Sequence, residues 1–404
     1  MSVVDELNLD DKLYIFEFLP KELEHLTKVK KIKYNTKNLK TAYLIDIVHK
    51  ILVRFYFYNK RSMDLYGEIL RKWYGTHYNY YINYLIEHNI LTKTSNYCVG
   101  IKCNTYTLNE KFYLEECKII RYKNDEKFLL TKWKNSNLLY ELKNYNDEKI
   151  IDPWVKAKLI QDLEYVEIDY KQASKDLEEM YESNEIGFQA YYKNLLSIES
   201  IHIGGPSIFK IEDKYGRFHT NFTVLKRTIR DKHLKIDNEE VMELDIKNSQ
   251  PLFLSILMKD KGINLMDEYS TNYQKFHEMV VSGNIYEYMM EGNNVTRKQC
   301  KTMIFQVFFG KNGRGIANRI FKEKFPKIFD WIRIYKDSVG DYTILSKELQ
   351  GMESKLIFGQ VCMKIKKTLP EVKLFTVHDS IFFAKKYEED VAEIFYHYLD
   401  LLIA

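Results

Sequence analysis

The chain has 404 residues, enough for two or three domains with a large core, and its formal net charge of +4 is too small to indicate a class of partner by itself. The five cysteines show no spacing typical of a disulfide framework or a zinc site, so we expect reduced thiols. We find neither a signal-peptide pattern nor an apolar run of membrane length, and we therefore expect a soluble, cytoplasmic protein without a membrane partner.

The first 38 residues form a basic lead-in, for which the sequence predicts irregular structure with one short helix. Lysines are concentrated at its end and just beyond it. They are Lys28, Lys30, Lys31, Lys33, Lys37 and Lys40. Such a cluster is typical of a segment that contacts nucleic-acid phosphates, but a solvated lysine-rich linker has the same composition.

Residues 39–112 show three helical patterns followed by two strand patterns. The predicted elements are helices at 41–58, 62–73 and 76–88 and strands at 90–94 and 102–108. Three helices and a β-hairpin in this order are typical of a winged helix-turn-helix, in which the third helix would be the recognition helix. A structural helical module without a nucleic-acid partner explains the pattern equally well. Residues 113–200 then have a strongly charged, helical pattern.

Two aspartates lie at the ends of apolar strand patterns in the second half of the chain. Asp245 ends a strand pattern that begins at Val241, and Asp379 lies in the turn between apolar strands at 374–377 and 380–383. Carboxylates are the hard oxygen ligands that Mg²⁺ prefers. Two Mg²⁺ ions about 4 Å apart stabilise the attacking and leaving oxygens of a phosphoryl transfer. The two motifs therefore indicate a two-metal site.

A third stretch lies between the two aspartates and has a four-residue repeat. Arg297, Lys301, Phe305 and Phe309 recur at every fourth position before Gly310. On a helix each such step drifts by about 40°, so the four side chains form one inclined stripe. Two cations followed by two aromatic rings match the polarity of a nucleoside triphosphate. An amphipathic helix with solvated cations has the same spacing, and the two aspartates favour the nucleotide interpretation.

In order, these stretches resemble motifs A, B and C of the family A nucleic-acid polymerases, which include bacterial DNA polymerase I and the single-subunit phage-type RNA polymerases. The stripe resembles the family's O helix except at Phe309, where the family usually has Tyr. The resemblance covers residues 201–404 and implies an α+β, mainly helical, right-hand fold. The palm, with an antiparallel sheet, and the helical fingers (about 258–340) would lie in 201–404. The thumb-like region would be 113–200.

The resemblance implies a role for each motif residue in nucleotidyl transfer. Asp245 and Asp379, with the backbone carbonyl of Ile246, would hold two Mg²⁺ ions, for which Mn²⁺ can substitute. Arg297 and Lys301 would bind the phosphates, and Lys301 would also protonate the departing pyrophosphate. The remaining nucleotide contacts would be stacking by Phe305 and closure of the pocket by Phe309.

The resemblance also implies contacts to a DNA primer-template. The residues that would make them are Arg217, Lys226, Arg227, Arg230, Gln350 and His378. His277 lies twenty residues before Arg297, as a phosphate-binding histidine does in bacterial DNA polymerase I, but a structural histidine is an equal alternative. Glu353 is a candidate supporting carboxylate near the same site.

The sugar preference depends on Gln250 and Phe309. Gln250 stands where the family's DNA polymerases have a Glu that blocks a 2′-hydroxyl, and Phe309 lacks the hydroxyl with which the RNA polymerases sense ribose. Ser249 and the His378-Asp379-Ser380 triplet resemble the RNA polymerase branch. We expect sterics to decide in favour of deoxynucleotides, with weak discrimination.

The leading hypothesis is a short DNA polymerase from a phage, plasmid or other mobile element, acting in a bacterial or phage-infected cell. We expect no proofreading exonuclease, because the residues before the palm read as helical modules and not as alternating strands and helices. An RNA polymerase or primase on the same fold is the alternative. A catalytically silent DNA-binding replication protein is the third hypothesis. The sequence does not indicate an oligomeric state.

Overall fold

A computed structural model describes most of the chain: residues 15–96, 103–122, 151–203, 210–212 and 216–403. Parts of four predicted regions lie outside these residues: 1–14 of the lead-in, 97–102 at the hairpin, 123–150 of the thumb-like region, and 204–209, 213–215 and 404 of the palm region. The described chain is mainly helical with antiparallel sheets, which confirms the α+β class. No described helix is long and apolar enough to cross a membrane.

The strands are short and most pair as hairpins. They are β1 (Ile15–Pro20), β2 (Lys31–Tyr34), β3 (Lys37–Lys40), β4 (Ser62–Leu65), β5 (Leu91–Ser95), β6 (Asn104–Leu108), β7 (Cys117–Tyr122), β8 (Val166–Ile168), β9 (Lys210–Glu212), β10 (Arg217–His219), β11 (Leu234–Ile236), β12 (Glu239–Asp245), β13 (Leu374–Val377) and β14 (Ser380–Ala384).

The helices make up most of the described chain. They are α1 (Thr41–Tyr58), α2 (Gly67–Tyr74), α3 (Tyr78–Glu87), α4 (Pro153–Asp162), α5 (Tyr170–Glu182), α6 (Phe188–His202), α7 (Asn221–Val224), α8 (Arg227–His233), α9 (Ser249–Asp260), α10 (Asp267–Val281), α11 (Ile285–Met290), α12 (Arg297–Phe309), α13 (Ile316–Lys324), α14 (Pro326–Val339), α15 (Ile344–Ser354), α16 (Met363–Thr368) and α17 (Glu388–Ile403). A π-helix, Lys355–Cys362, joins α15 to α16.

The chain divides into two compact units, each built from separated segments. The first unit contains Met1–Asn146, Val166–Phe209 and Thr220–Lys235. The second contains Asp147–Tyr165, Lys210–His219 and Ile236–Ala404.

The amino-terminal segment is more regular than predicted. β1 pairs with β7 in antiparallel register, and β2 forms a hairpin with β3. The prediction of irregular structure in the lead-in was therefore wrong, although its one short helix is present as the 3-10 helix Lys21–Thr27. The helical pattern predicted at Cys117–Tyr122 was also wrong. Phe18 is fully buried at the β1–β7 pair, because burial of an apolar strand face outweighs local propensity.

Residues 39–112 form helices and a sheet in the order α1, β4, α2, α3, β5, β6. The three strands form one antiparallel sheet in the order β4-β6-β5. The helix predicted at 62–73 is wrong in its first half, because Ser62–Leu65 pairs with β6 and α2 begins only at Gly67. Alternating exposure along β4, with Leu65 buried, is the period-2 pattern of a strand that covers a core.

The second unit contains an antiparallel sheet in which β14 lies between β13 and β12. Every residue of β13 and β14 is buried, and the rings of Phe375 and Phe382 stack with centroids 4.7 Å apart. Below β13, the buried carboxylate of Asp162 accepts a hydrogen bond from the Leu374 amide at 3.0 Å and forms an ion pair with buried Lys366. These contacts fix the strands that carry the candidate site.

Candidate active site

The two predicted aspartates lie at neighbouring strand ends. β12 and β14 are antiparallel, and Asp245 is the register partner of Ser380, the residue after Asp379. Strand partners have Cα atoms no more than about 5.5 Å apart and successive Cα atoms are 3.8 Å apart, so the Cα atoms of Asp245 and Asp379 are at most about 9 Å apart. The sheet thus brings together two residues that are distant in the chain.

Ser380 orients the first of these carboxylates. Its Oγ donates a hydrogen bond to Asp245 Oδ1 at 2.9 Å. Asp245 is otherwise exposed, whereas Ser380 is buried and Asp379 is half-buried. This hydrogen bond from a buried hydroxyl restricts the rotamers of the Asp245 carboxylate. It thereby also sets the direction of the second carboxylate oxygen. No local pattern in the sequence indicated this role for Ser380.

The turn between β13 and β14 consists of His378 and Asp379. His378 has a φ of +57°, in the left-handed region that a tight hairpin requires. Its ring lies edge-on to the ring of His219, with centroids 5.8 Å apart. The β10 strand therefore reaches the aspartate turn from the side, which the sequence did not predict.

A buried carboxylate lies beside the same turn. Glu353 is only 1% exposed and accepts hydrogen bonds from Arg217 Nη2 at 2.7 Å and from Gln250 Nε2 at 2.5 Å. Burial raises the pKa of Glu353 to about 7, although Arg217 opposes this rise and the charge of Asp379 adds to it. The charge of Asp379 in the aspartate turn therefore affects the pKa of Glu353. Arg217, which we expected on DNA phosphates, is held by this carboxylate.

Gln250 lies in the first turn of α9, five positions after Asp245. Its side chain is buried, and its amide nitrogen is engaged by Glu353. Its Oε1 has no hydrogen-bond partner within the described residues. A buried acceptor without a donor destabilises the folded state, and such atoms are rare in native proteins.

The predicted stripe occupies one side of α12. Arg297 and Lys301 are exposed, while Phe305 and Phe309 are half-buried and stacked with ring centroids 5.6 Å apart. The opposite side is buried. Its buried residues are Cys300, Ile304, Val307 and Phe308. The spacing thus places the two cations and the two rings on a shared face, as the sequence predicted.

The ends of α12 are well defined. Thr296 and Gln299 form a reciprocal capping box at its start. At its end, a Cβ on Gly310 would lie 2.5 Å from the Gln306 carbonyl oxygen, which explains the glycine. The buried ammonium of Lys336 donates to the carbonyls of Val307 and Gly310 at 2.7 and 2.8 Å. This cap, which the sequence did not reveal, fixes the end that carries Phe309.

Tyr286 connects the cationic end of α12 with the aspartate turn. The Arg297 guanidinium lies 4.7 Å from the Tyr286 ring centroid, and Arg297 Nε bonds Glu287 Oε1 at 2.9 Å. Burial raises the pKa of Tyr286 to about 12, Arg297 opposes this rise and Asp379 adds to it. Arg297 and Asp379 therefore act in opposite directions on the pKa of the same hydroxyl.

Other predicted contacts have structural partners. His277 Nδ1 lies 2.8 Å from the hydroxyl of buried Ser255, and burial lowers the pKa of His277, which favours the neutral ring. The contact with Ser255 favours the structural alternative, and a phosphate contact by His277 stays a prediction. Gln350 donates to Ser346 Oγ at 3.0 Å on its own helix.

Three predicted DNA-contacting cations belong to the first unit. Arg230 is 7% exposed and directs one guanidinium nitrogen to the Phe222 carbonyl, so it lacks the exposure that phosphate contact needs. Lys226 pairs with Glu185 at 3.1 Å, and Arg227 pairs with Asp231 at 3.2 Å. Both of these remain accessible at the surface.

The donor set near the aspartates suits a hard cation. Among the described residues, no three His, Cys, Asp or Glu side chains are grouped as a metal site. A metal here would depend on Asp245, Asp379, the carbonyl of Ile246 and oxygens from solvent or substrate. All of these are oxygen donors, and Mg²⁺ commonly takes only one or two protein carboxylates together with substrate phosphates.

No protein-family model, curated protein or solved structure matches this chain. The function is therefore inferred from the geometry of the site.

Proposed function

We propose that this chain is a template-directed nucleotidyltransferase of the family A polymerase type, which extends a DNA primer with deoxynucleotides and does not proofread. The observation that carries the proposal is the pairing of Asp245 with Ser380, which brings two motif aspartates to adjacent strand ends. The stripe of α12 supports it, because it presents two exposed cations and two stacked aromatic rings on one face, with the Arg297 guanidinium 4.7 Å from the Tyr286 ring centroid.

The aspartates fit the role of metal ligands. Asp245 and Asp379, with the carbonyl of Ile246, would hold two Mg²⁺ ions, and Ser380 keeps Asp245 oriented. When bound, such ions lower the pKa of a primer 3′-hydroxyl and neutralise charge on the triphosphate. The primer oxygen bonds to the α-phosphorus as the bond to pyrophosphate breaks. His378 would lie near the primer terminus.

The exposed face of α12 would bind the nucleotide. Arg297 would leave its ion pair with Glu287 and bind the triphosphate instead. Lys301 would hold the phosphates and give a proton to the departing pyrophosphate. Phe305 would stack on the base or sugar, and Phe309 would close the pocket. Base–aromatic stacking contributes about 1–3 kcal/mol per base.

We also propose the right-hand assignment of the elements. β12, β13 and β14 would form the core of the palm, the helices from α10 to α14 would form the fingers, and α5 with α6 would belong to the thumb. The 39–112 module would be of the winged-helix type. The order of the elements along the chain and the β12–β14 register support these assignments.

RNA synthesis is the second candidate function. The buried Oε1 of Gln250, which has no partner in the described chain, is suited to accept a hydrogen bond from a ribose 2′-hydroxyl. A site that bonds a substrate hydroxyl discriminates strongly against the analogue without it. A non-catalytic DNA-binding protein is a weaker third candidate, because it gives no role to the adjacent aspartates.

A primer-extension assay with dNTPs and NTPs in parallel separates these candidates. The proposal predicts Mg²⁺-dependent extension with dNTPs and weaker extension with NTPs. Preferential use of NTPs would support the second candidate. Duplex binding without extension with either set, in Mg²⁺ or Mn²⁺, would contradict the proposed polymerase activity.

A further inference from the structure

The 39–112 module has the order of elements found in helix-turn-helix DNA-binding domains. A helix, a strand, two helices and two strands follow one another, with the first strand paired to the last. α2 and α3 are separated by a short turn at Gly75, where φ is +84°. In a helix-turn-helix the second helix of such a pair enters the major groove. That helix here is α3.

The outer face of α3 carries free amides. Asn79 and Asn83 are exposed, four positions apart, and neither side chain makes a hydrogen bond within the described residues. The buried residues of the helix lie on its other sides; they are Tyr81, Ile82, Tyr84 and Leu85. An Asn amide can make two hydrogen bonds to the major-groove edge of adenine.

The β2–β3 hairpin adds a cationic face. Lys31 is the register partner of Lys40, and Lys33 is the partner of Asn38. Directly opposed residues of an antiparallel pair lie on the same face. All four of these side chains are exposed, whereas Tyr34 and Leu39 on the other face are buried. Lys31 and Lys33 form no ion pair within the described chain.

The buried side of this hairpin packs against α3. The ring of Tyr34 lies edge-on to Tyr84 with centroids 5.5 Å apart, and its hydroxyl bonds Glu87. Tyr81 accepts a hydrogen bond from the Lys40 amide at 3.3 Å. The lysine face is therefore attached directly to the helix that presents Asn79 and Asn83.

We propose that this composite surface is a double-stranded DNA site separate from the polymerase site. α3 enters the major groove with Asn79 and Asn83 on adenine edges, and Lys31, Lys33 and Lys40 contact the phosphate backbone. DNA is favoured over duplex RNA because the major groove of A-form RNA is too deep and narrow for a helix to read. Glu87, the acidic residue of α3, is engaged by Tyr34.

The lysine part is tested with the full chain and a blunt duplex, which has no recessed primer end. Lys31→Gln with Lys33→Gln should weaken binding to A·T-rich and G·C-rich duplexes alike. Each lost phosphate contact lowers the slope of log affinity against log salt by about 0.9, so the double variant should lose roughly 2. The matched control is Lys364→Gln with Lys367→Gln, which removes two exposed lysines of α16 and should leave the slope unchanged.

The asparagine part has a different expected result. Asn79→Ala with Asn83→Ala should reduce the preference for the A·T-rich duplex roughly fivefold or more, with the salt slope unchanged. The lysine variant should leave that preference intact. Wild-type affinity in both double variants, equal loss in the lysine control, or a loss confined to duplex RNA would each overturn the proposal. Primer extension by Asn79→Ala with Asn83→Ala on a short template stays normal, so this outcome is independent of the polymerase activity.

Discussion

At the scale of single residues, the buried and hydrogen-bonded pair of Glu353 and Gln250 lies beside the aspartate turn. Glu353 has a pKa of about 7 in the folded protein against an ordinary value of 4.5. Between these values the folded state binds more protons at this site than the unfolded state. Its contribution to the free energy of unfolding therefore falls as the pH rises from 4.5 to 7.

This pH dependence of the free energy of unfolding gives a prediction for Glu353→Gln. The variant lacks the titration, so the stability of the wild type relative to the variant should be greater at pH 5 than at pH 7.5. Denaturant unfolding at the two pH values measures the difference. Glu393→Gln, an exposed site on α17, is the control and should show little change. An equal wild-type-to-variant difference at both pH values would show that Glu353 is ionised throughout.

Gln250 carries the prediction on sugar choice. Gln250→Ala should open space under the sugar and raise ribonucleotide incorporation relative to dNTPs, whereas Gln250→Met, which keeps the bulk, should not. Phe309→Tyr should shift preference in the same direction by adding a hydroxyl that can bond a 2′-oxygen. Competition between dNTPs and NTPs in single-nucleotide extension measures the ratio. If Gln250→Ala instead lowers NTP use, its Oε1 bonds the ribose and the enzyme synthesises RNA.

The sequence predicted the residues of this site better than their contacts. Asp245, Asp379 and the α12 stripe are recognisable because each is defined by local spacing. Glu353 contacts Arg217 and Gln250 across 136 and 103 positions of the chain. No local pattern encodes such a contact, so its effect on Gln250 could not be foreseen. Likewise, only the β12–β14 register shows that Ser380 supports Asp245.

At the scale of elements, α12 is expected to act on the triphosphate and not on the duplex. Lys301→Ala should lower the extension rate by roughly a hundredfold, as loss of a preorganised charge at a transition state does. Duplex affinity should stay close to that of the wild type. Single-turnover extension and anisotropy titration measure the two quantities, with Lys364→Ala as control. Weakened duplex binding with normal turnover would instead make α12 a DNA-contacting face.

The predicted strands and two of the predicted helices lie close to their expected positions, whereas several strands with distant partners were missed. α1 and α3 follow apolar periodicities contained in their own sequences, and their predicted bounds lie within two residues of those observed. β4 was mistaken for helix because its partner, β6, lies about forty residues further on. β1 and β7 are separated by about a hundred residues. Strand pairing of this kind depends on tertiary context, which propensity does not contain.

At the scale of the whole molecule, each of the two units is built from separated chain segments. The predicted domains, in contrast, were contiguous ranges of the chain. The proposed catalytic residues belong to the second unit, as do the proposed nucleotide contacts of Arg297 and Gln250. The catalytic residues are Asp245, Asp379 and Lys301. The composite DNA surface of α3 and the β2–β3 hairpin belongs to the first. We therefore propose that chemistry and duplex recognition belong to different units of the fold.

The most direct test of the central claim is single-turnover primer extension by Asp245→Asn and Asp379→Asn in Mg²⁺. Each substitution removes one carboxylate charge with little change in volume, and Asp400→Asn, at an exposed position on α17, serves as control. We expect both site variants to lose extension by roughly a thousandfold or more, because each lacks a metal ligand. Primer-template affinity should be retained, and the control should behave as the wild type. Extension at wild-type rates by either site variant would contradict the central claim.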